Sequence, residues 1–146
     1  MKALLVKNYD PSLIQRYLIY GFLGLTLEVI YTGLASLLAG DLSMHGFTYL
    51  IMVPIYGLAV FLEPLVYLLR PLPWWIRGLV YLAIIWSIEY LTGTLLRLLL
   101  GYCPWNYDDF LNVNGIITWR MAPEWFLAGL GFEKLFNFIK GTVDEY

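Results

Sequence analysis

From Trp74 to Leu100 the chain reads WWIRGLVYLAIIWSIEYLTGTLLRLLL, with Arg77, Glu89 and Arg97 as its only charges. A helix rises about 1.5 Å per residue, and roughly 20 apolar residues cross the hydrocarbon core of a bilayer. This run is therefore long enough and apolar enough to span. Upstream, Pro71 and Pro73 break the chain after a second apolar run, about Gly46 to Leu69, and a first run extends from about Leu13 to Gly40. Downstream, a fourth runs from about Gly115 to Ile139. The expectation is an all-α integral membrane protein with four transmembrane helices in a single transmembrane domain over residues 1–146.

Composition agrees. Of 146 residues, 60% are hydrophobic and 14% charged. A soluble domain is nearer a quarter charged, and this chain has too little charge to clothe a soluble surface. In lipid that need disappears. A net charge of −2 offers no basic face to nucleic acid. The single cysteine, Cys103, excludes an intramolecular disulfide and a multi-cysteine zinc site. Met1 to Asp10 carries Lys2, Lys7 and Asp10 and shows no small-residue cleavage site, so the first span is expected to be retained.

Lysine and arginine give an orientation. Lys2, Lys7 and Arg16 lie at or before the start of the first run, Arg70 and Arg77 flank the second loop, and Lys134 and Lys140 close the fourth run. The positive-inside rule then places both termini and the Arg70–Arg77 loop in the cytoplasm of a multi-pass cell (inner) membrane protein. Trp74, Trp75 and Trp105 lie near the expected interfaces, where indoles anchor.

The halves of the chain are alike. Residues 28–40 read EVIYTGLASLLAG and residues 89–101 read EYLTGTLLRLLLG, each running from a glutamate to a glycine. GFTYLIMVP from Gly46 to Pro54 then answers GIITWRMAP from Gly115 to Pro123, and Glu63 and Glu133 follow the two prolines. The series points to two parallel two-helix repeats, about 13–69 and 74–139, related by an axis along the membrane normal. Under that duplication Glu28 corresponds to Glu89, and Glu63 to Glu133.

Each run thus holds an acid, and intramembrane acids are rare and turn away from lipid. Glu28 shares a helix face with Gly21, Gly24, Thr32 and Ser36, and Glu89 shares one with Gly93 and Arg97. Small residues bring helices close. The functional expectation is a carboxylate site between the repeats that binds a cation or cationic headgroup, or shares a proton. The plainer alternative is hydrogen-bonding glue between helices. The third loop, residues 101–115, is too polar for a span and too aromatic for a plain linker, and reads equally as a lid or an interfacial loop. Candidate binding residues are Glu28, Glu89, Glu63, Glu133, Arg97, Trp105, Tyr107 and His45. His45 sits before Gly46 where a cap or loop residue is expected. No metal set, nucleotide loop, zincin motif or serine-hydrolase elbow is present, and the sequence leaves the cofactor unknown.

Glu28, Pro54-Ile55-Tyr56-Gly57, Glu63, Glu89 with Thr92-Gly93, Pro104-Trp105-Asn106-Tyr107, Gly115 and Glu133 together resemble a bacterial membrane family described as putative ABC-transporter type IV, or CmpB-like. They also resemble the animal transmembrane protein 229 family. The resemblance runs from about Tyr17 to Phe136 and implies a four-span membrane protein. Relatives carry Trp-Asp-Tyr-Ser in the third loop. Here Asn106 replaces that aspartate, and Asp108 follows Tyr107. The internal cytoplasmic loop, Arg70 to Arg77, holds two prolines and is too short for a coupling helix, so nothing in the chain demands an ATPase partner.

Three functional classes remain at this point. One is a binding or transport protein for a small ligand, ion or lipid at an intramembrane carboxylate site. Another is a lipid-modifying enzyme using Glu28 or Glu89 as base. The third is a non-catalytic subunit of a larger membrane complex. The lipid bilayer is the one partner the composition requires. A homo-oligomer is expected because the outer faces are rich in aromatics.

Overall fold

A computed structural model describes residues 11–141. Lys2, Lys7 and the reading of Met1 to Asp10 as free of a leader lie outside these residues. The described chain is mostly helical: α1 is Leu13–Leu38, α2 Met52–Gly57, α3 Glu63–Leu69, α4 Trp74–Leu100 and α5 Ala122–Lys140. A 3-10 segment, Leu58–Leu62, joins α2 to α3 without interruption. The one departure from all-α is a ladder of two short antiparallel strands, β1 (Asn112–Val113) and β2 (Ile117–Thr118), in the third loop.

The ends of the long helices follow from local chemistry. Ser12 caps α1 in a capping box: its Oγ accepts from Gln15 N, and Ser12 N donates to Gln15 Oε1 at 2.8 Å. At the other end Asp41 N donates to Ser36 O and Gly40 N to Leu37 O, a Schellman closure that needs φ > 0 at Gly40 (+98°). Gly101, at φ +81°, ends α4 in the same left-handed way. The two glycines that close the repeated sequence blocks are therefore helix stops, chosen because a Cβ disfavours that backbone.

Two apolar runs begin before their helices do. Gly46 to Ile51 is not helical, and α2 begins only at Met52. Thr32 Oγ1 holds that extended entry, accepting from Phe47 N at 2.9 Å and donating to Phe47 O at 3.0 Å. Likewise Gly115 to Met121 forms the hairpin and a 3-10 turn, and α5 starts at Ala122. Pro64 lacks the N–H that would bond Val60 O in an α-helix. The tighter 3-10 turn lets Glu63 N take that carbonyl instead.

By length and composition, Leu13–Leu38, Met52–Leu69 and Trp74–Leu100 are long and apolar enough to cross a membrane. α5 is not among them, because Glu124, Glu133, Lys134 and Lys140 fall within it. The apolar helices expose much of their hydrocarbon: Phe22, Leu27, Ile30, Leu91, Leu95 and Leu98 are all exposed. Soluble monomers do not carry apolar surface on this scale.

Contacts divide the described chain into two compact units, residues 11–63 with 136–141, and Pro64–Leu135. In the first, α1 and α2 run antiparallel. Gly21 lies against Val53 and Gly24 against the Tyr56 ring, so the small-residue face of α1 meets α2. In the second, α4 packs against the third loop and α5. Gly78 and Gly129 admit Phe126 and Tyr81, and Trp86 meets Trp119 edge-on with centroids 4.8 Å apart.

Candidate functional site

Glu28, Glu63, Glu89 and Glu133 fall into two chemically different kinds. Glu63 and Glu133 are buried and have arginine partners. In the first unit Arg16 grips Glu63 through two nitrogens, Nε to Oε1 at 2.7 Å and Nη2 to Oε2 at 3.0 Å, and Tyr20 OH donates to the same carboxylate at 2.8 Å. In the second unit Arg77 Nη2 lies 3.1 Å from Glu133 Oε1, and Tyr81 OH donates to Oε2 at 3.0 Å. Each arginine also donates to the carbonyl five residues before it, Pro11 O and Leu72 O. One guanidinium thus ties the entry to its own helix, the helix itself and the partner helix. The fork geometry of arginine suits a bidentate carboxylate, which lysine could not match.

Glu28 and Glu89 are half-buried and sit on α1 and α4, the helices that carry Arg16 and Arg77. Twelve residues separate Arg16 from Glu28 and Arg77 from Glu89, about 18 Å along an α-helix. Glu28 Oε2 accepts from Tyr56 OH at 2.6 Å and from Thr48 Oγ1 at 2.7 Å. These hydrogen-bond donors are neutral hydroxyls. The Tyr56 ring is seated by Gly24: a Cβ there would lie 2.6 Å from Tyr56 Cγ. Thr48 is presented by the extended entry that Thr32 holds. Glu89 Oε1 accepts from Tyr107 OH at 3.0 Å, a donor supplied by the third loop.

That loop is organised and lies against α4. Trp105 Nε1 donates to Ile116 O at 3.0 Å, and Tyr107 N to Gly115 O at 2.9 Å. Arg97 Nη1 donates to Asn114 O at 3.0 Å, and Asn114 Nδ2 to Tyr90 OH at 2.8 Å. Asp109 Oδ1 accepts from Leu111 N and Thr118 Oγ1, and its carbonyl accepts from Asn112 Nδ2. Half-burial of Cys103 pushes its thiol above the usual range, against a smaller opposing effect from a hydrogen bond with the Trp105 backbone. Asn106 lies against Gly115 and Asp108 is exposed.

Of the residues singled out by sequence, Arg97, Trp105, Tyr107 and Glu89 come together in the second unit. Glu28 forms its own cluster in the first. Glu63 and Glu133 are each given an internal counter-ion. His45 is exposed and pairs with Asp41 at 2.5 Å, which holds the Asp41 carboxyl below the usual aspartate range. Arg16, Tyr20, Arg77, Tyr81, Thr48 and Tyr56 take part in these clusters without having been assigned a site role from sequence. A signal existed for four of them: Arg16-x-x-x-Tyr20 and Arg77-x-x-x-Tyr81 stand at the same distance before Glu28 and Glu89.

An ionised carboxylate offers about four lone-pair positions. Glu28, with two donors on one oxygen, retains capacity for a cation or a further donor. Among the described residues no group of three or more His, Cys, Asp or Glu gathers to hold a metal ion. No solved structure matches the chain. The apolar helices make this a membrane protein; residues 16–145 match the family described as Putative ABC-transporter type IV, and the chain belongs to that family.

Proposed function

We propose that this is a transport-related membrane protein that crosses the bilayer four times as two two-helix repeats, about 13–69 and 74–139. Glu28 and Glu89 are the groups that meet a cation, a cationic headgroup or a proton. The observation that carries the reading is the division of labour among the acids. Glu63 and Glu133 are neutralised internally by Arg16 and Arg77, whereas Glu28 is held by neutral hydroxyls, Tyr56 and Thr48. A buried carboxylate with an arginine partner needs no further counter-ion. A carboxylate held by neutral hydroxyls in an apolar helix pair keeps its affinity for positive charge.

The repeat is supported by matching geometry. Arg–Glu–Tyr clusters recur with the same residue types, and in each the arginine Nη1 donates to the carbonyl five residues before it. The one-residue difference between Pro54–Glu63 and Pro123–Glu133 also has a physical account. A 3-10 segment turns about 120° per residue and an α-helix about 100°. Nine residues that include the five of Leu58–Leu62 therefore turn about as far as ten in an unbroken α-helix. As a fourth crossing, α5 has 19 residues, about 28 Å. Arg77 neutralises Glu133 within it, and Lys134 and Lys140 lie near an end from which long side chains reach the interface. The lysine and arginine distribution supports cytoplasmic termini in a cell membrane.

The test is flux and binding in proteoliposomes, with protons followed by an enclosed pH dye and sodium by isotope. Glu28→Gln and Glu89→Gln keep shape and hydrogen bonding but remove the charge. Each should abolish cation-dependent flux or binding while the protein stays folded. Wild-type behaviour in both variants would reject the reading.

A further inference from the structure

We infer that the third loop is a hinged strap latched over Glu89 by Tyr107, so that its opening controls access to that carboxylate. Its consequence for ligand access rests on the function proposed above. The two carboxylates are covered in different ways. Glu28 takes its donors from α2 and from the chain that Thr32 pins directly in front of it. Glu89 takes Tyr107 from a long excursion between α4 and α5.

The excursion is braced by its own hydrogen bonds. Bonds within it run from Trp105 Nε1 to Ile116 O, from Tyr107 N to Gly115 O and from Thr118 Oγ1 to Asp109 Oδ1, beside the β1–β2 ladder. Its polar ties to α4 include the Tyr107–Glu89 latch, Arg97 to Asn114 O, and Asn114 to Tyr90, and Ile116 and Trp105 rest against Gly93 as its apolar foot. At one end it leaves α4 through Gly101, in the left-handed region with open space around it. Its tip carries Phe110, 92% exposed, which suits immersion in the membrane interface and gives the open form a place to rest.

Cys103, the chain's single cysteine, reports on the strap. It belongs to the strap near its Gly101 end and is half-buried against α4, with Sγ 3.4 Å from where a Cβ on Gly93 would stand. The experiment is alkylation of Cys103 by N-ethylmaleimide in the full-length protein in lipid nanodiscs, with hydrogen exchange read alongside. Removing a hydrogen bond that has one charged partner, the Glu89 carboxylate or the Arg97 guanidinium, should raise the open fraction roughly tenfold or more. Tyr107→Phe and Arg97→Gln should each speed labelling by that factor, with faster exchange confined to residues 101–118. Should Tyr107→Phe fail to fold, Arg97→Gln carries the same test. Labelling unchanged in the variants, wild-type labelling already as fast as a free thiol, or exchange rising equally along α4 would overturn the strap. Failure of the functional proposal would appear in the flux of Glu28→Gln and Glu89→Gln and leave these labelling rates untouched.

Discussion

Replacing Arg77 with methionine removes the guanidinium but keeps much of the apolar stem. Its side chain is 13% exposed and that of Glu133 7%, so the carboxylate left behind is shielded from water. Tyr81 OH remains as a donor to it. Breaking a buried pair from one side costs about 3–5 kcal/mol, because the surviving charge has lost its counter-ion. For a chain of this length that corresponds to a fall in thermal midpoint of roughly 10 °C. The double variant Arg77→Met with Glu133→Leu removes both charges and should return to within about 1 kcal/mol of wild type. Arg16→Met should behave like Arg77→Met, since the Arg16–Glu63 pair is as deeply placed, at 12% and 10% exposure. The assay is tryptophan fluorescence during thermal and SDS titration in mild detergent. A loss under about 1 kcal/mol for Arg77→Met, the cost of a surface pair, would refute the argument. So would a double variant as unstable as the single one.

Gly24→Ala places a Cβ 2.6 Å from the Tyr56 ring and should cost about 1–3 kcal/mol by overpacking, read in the same titration. Because Tyr56 is displaced, cation binding at Glu28 should fall with it. Asp41, partly exposed and held by His45, has a depressed pKa, so its contribution is present above the ordinary aspartate range and lost as pH falls through the folded value. His45→Ala should move the Asp41 carboxyl titration, followed by carbon NMR in micelles, up toward that range. The Cys103 thiol is raised by burial, so its alkylation should stay slow through neutral pH and accelerate only above the usual thiol range. A labelling midpoint at or below the ordinary thiol value would contradict that burial.

Much of the architecture was legible because it is local. A long apolar run makes a helix whose length must match a bilayer, and this was readable for Leu13–Leu38, Met52–Leu69 and Trp74–Leu100. Gly40 and Gly101 marked helix ends, since few other residues accept a positive φ. The starts of α2 and α5 were less legible. Gly46 to Ile51 and Gly115 to Met121 are apolar enough to pass for helix, and the bonds that hold them extended come from partners such as Thr32 and Asn112.

Sequence alone placed an acid in each apolar run, and its spacing led to the expectation that Glu28 corresponds to Glu89 and Glu63 to Glu133. It did not distinguish the two pairs chemically. Arg16 and Arg77 read as orientation signals, and their partners lie on another helix. Only the tertiary structure decided that Glu63 and Glu133 meet guanidinium groups while Glu28 meets the hydroxyls of Tyr56 and Thr48, and that Tyr107 of the third loop reaches Glu89. The physical reason is range. Helix formation and its stops depend on neighbours three or four residues away, whereas the environment of a carboxylate depends on which distant side chain the packing brings within 3 Å.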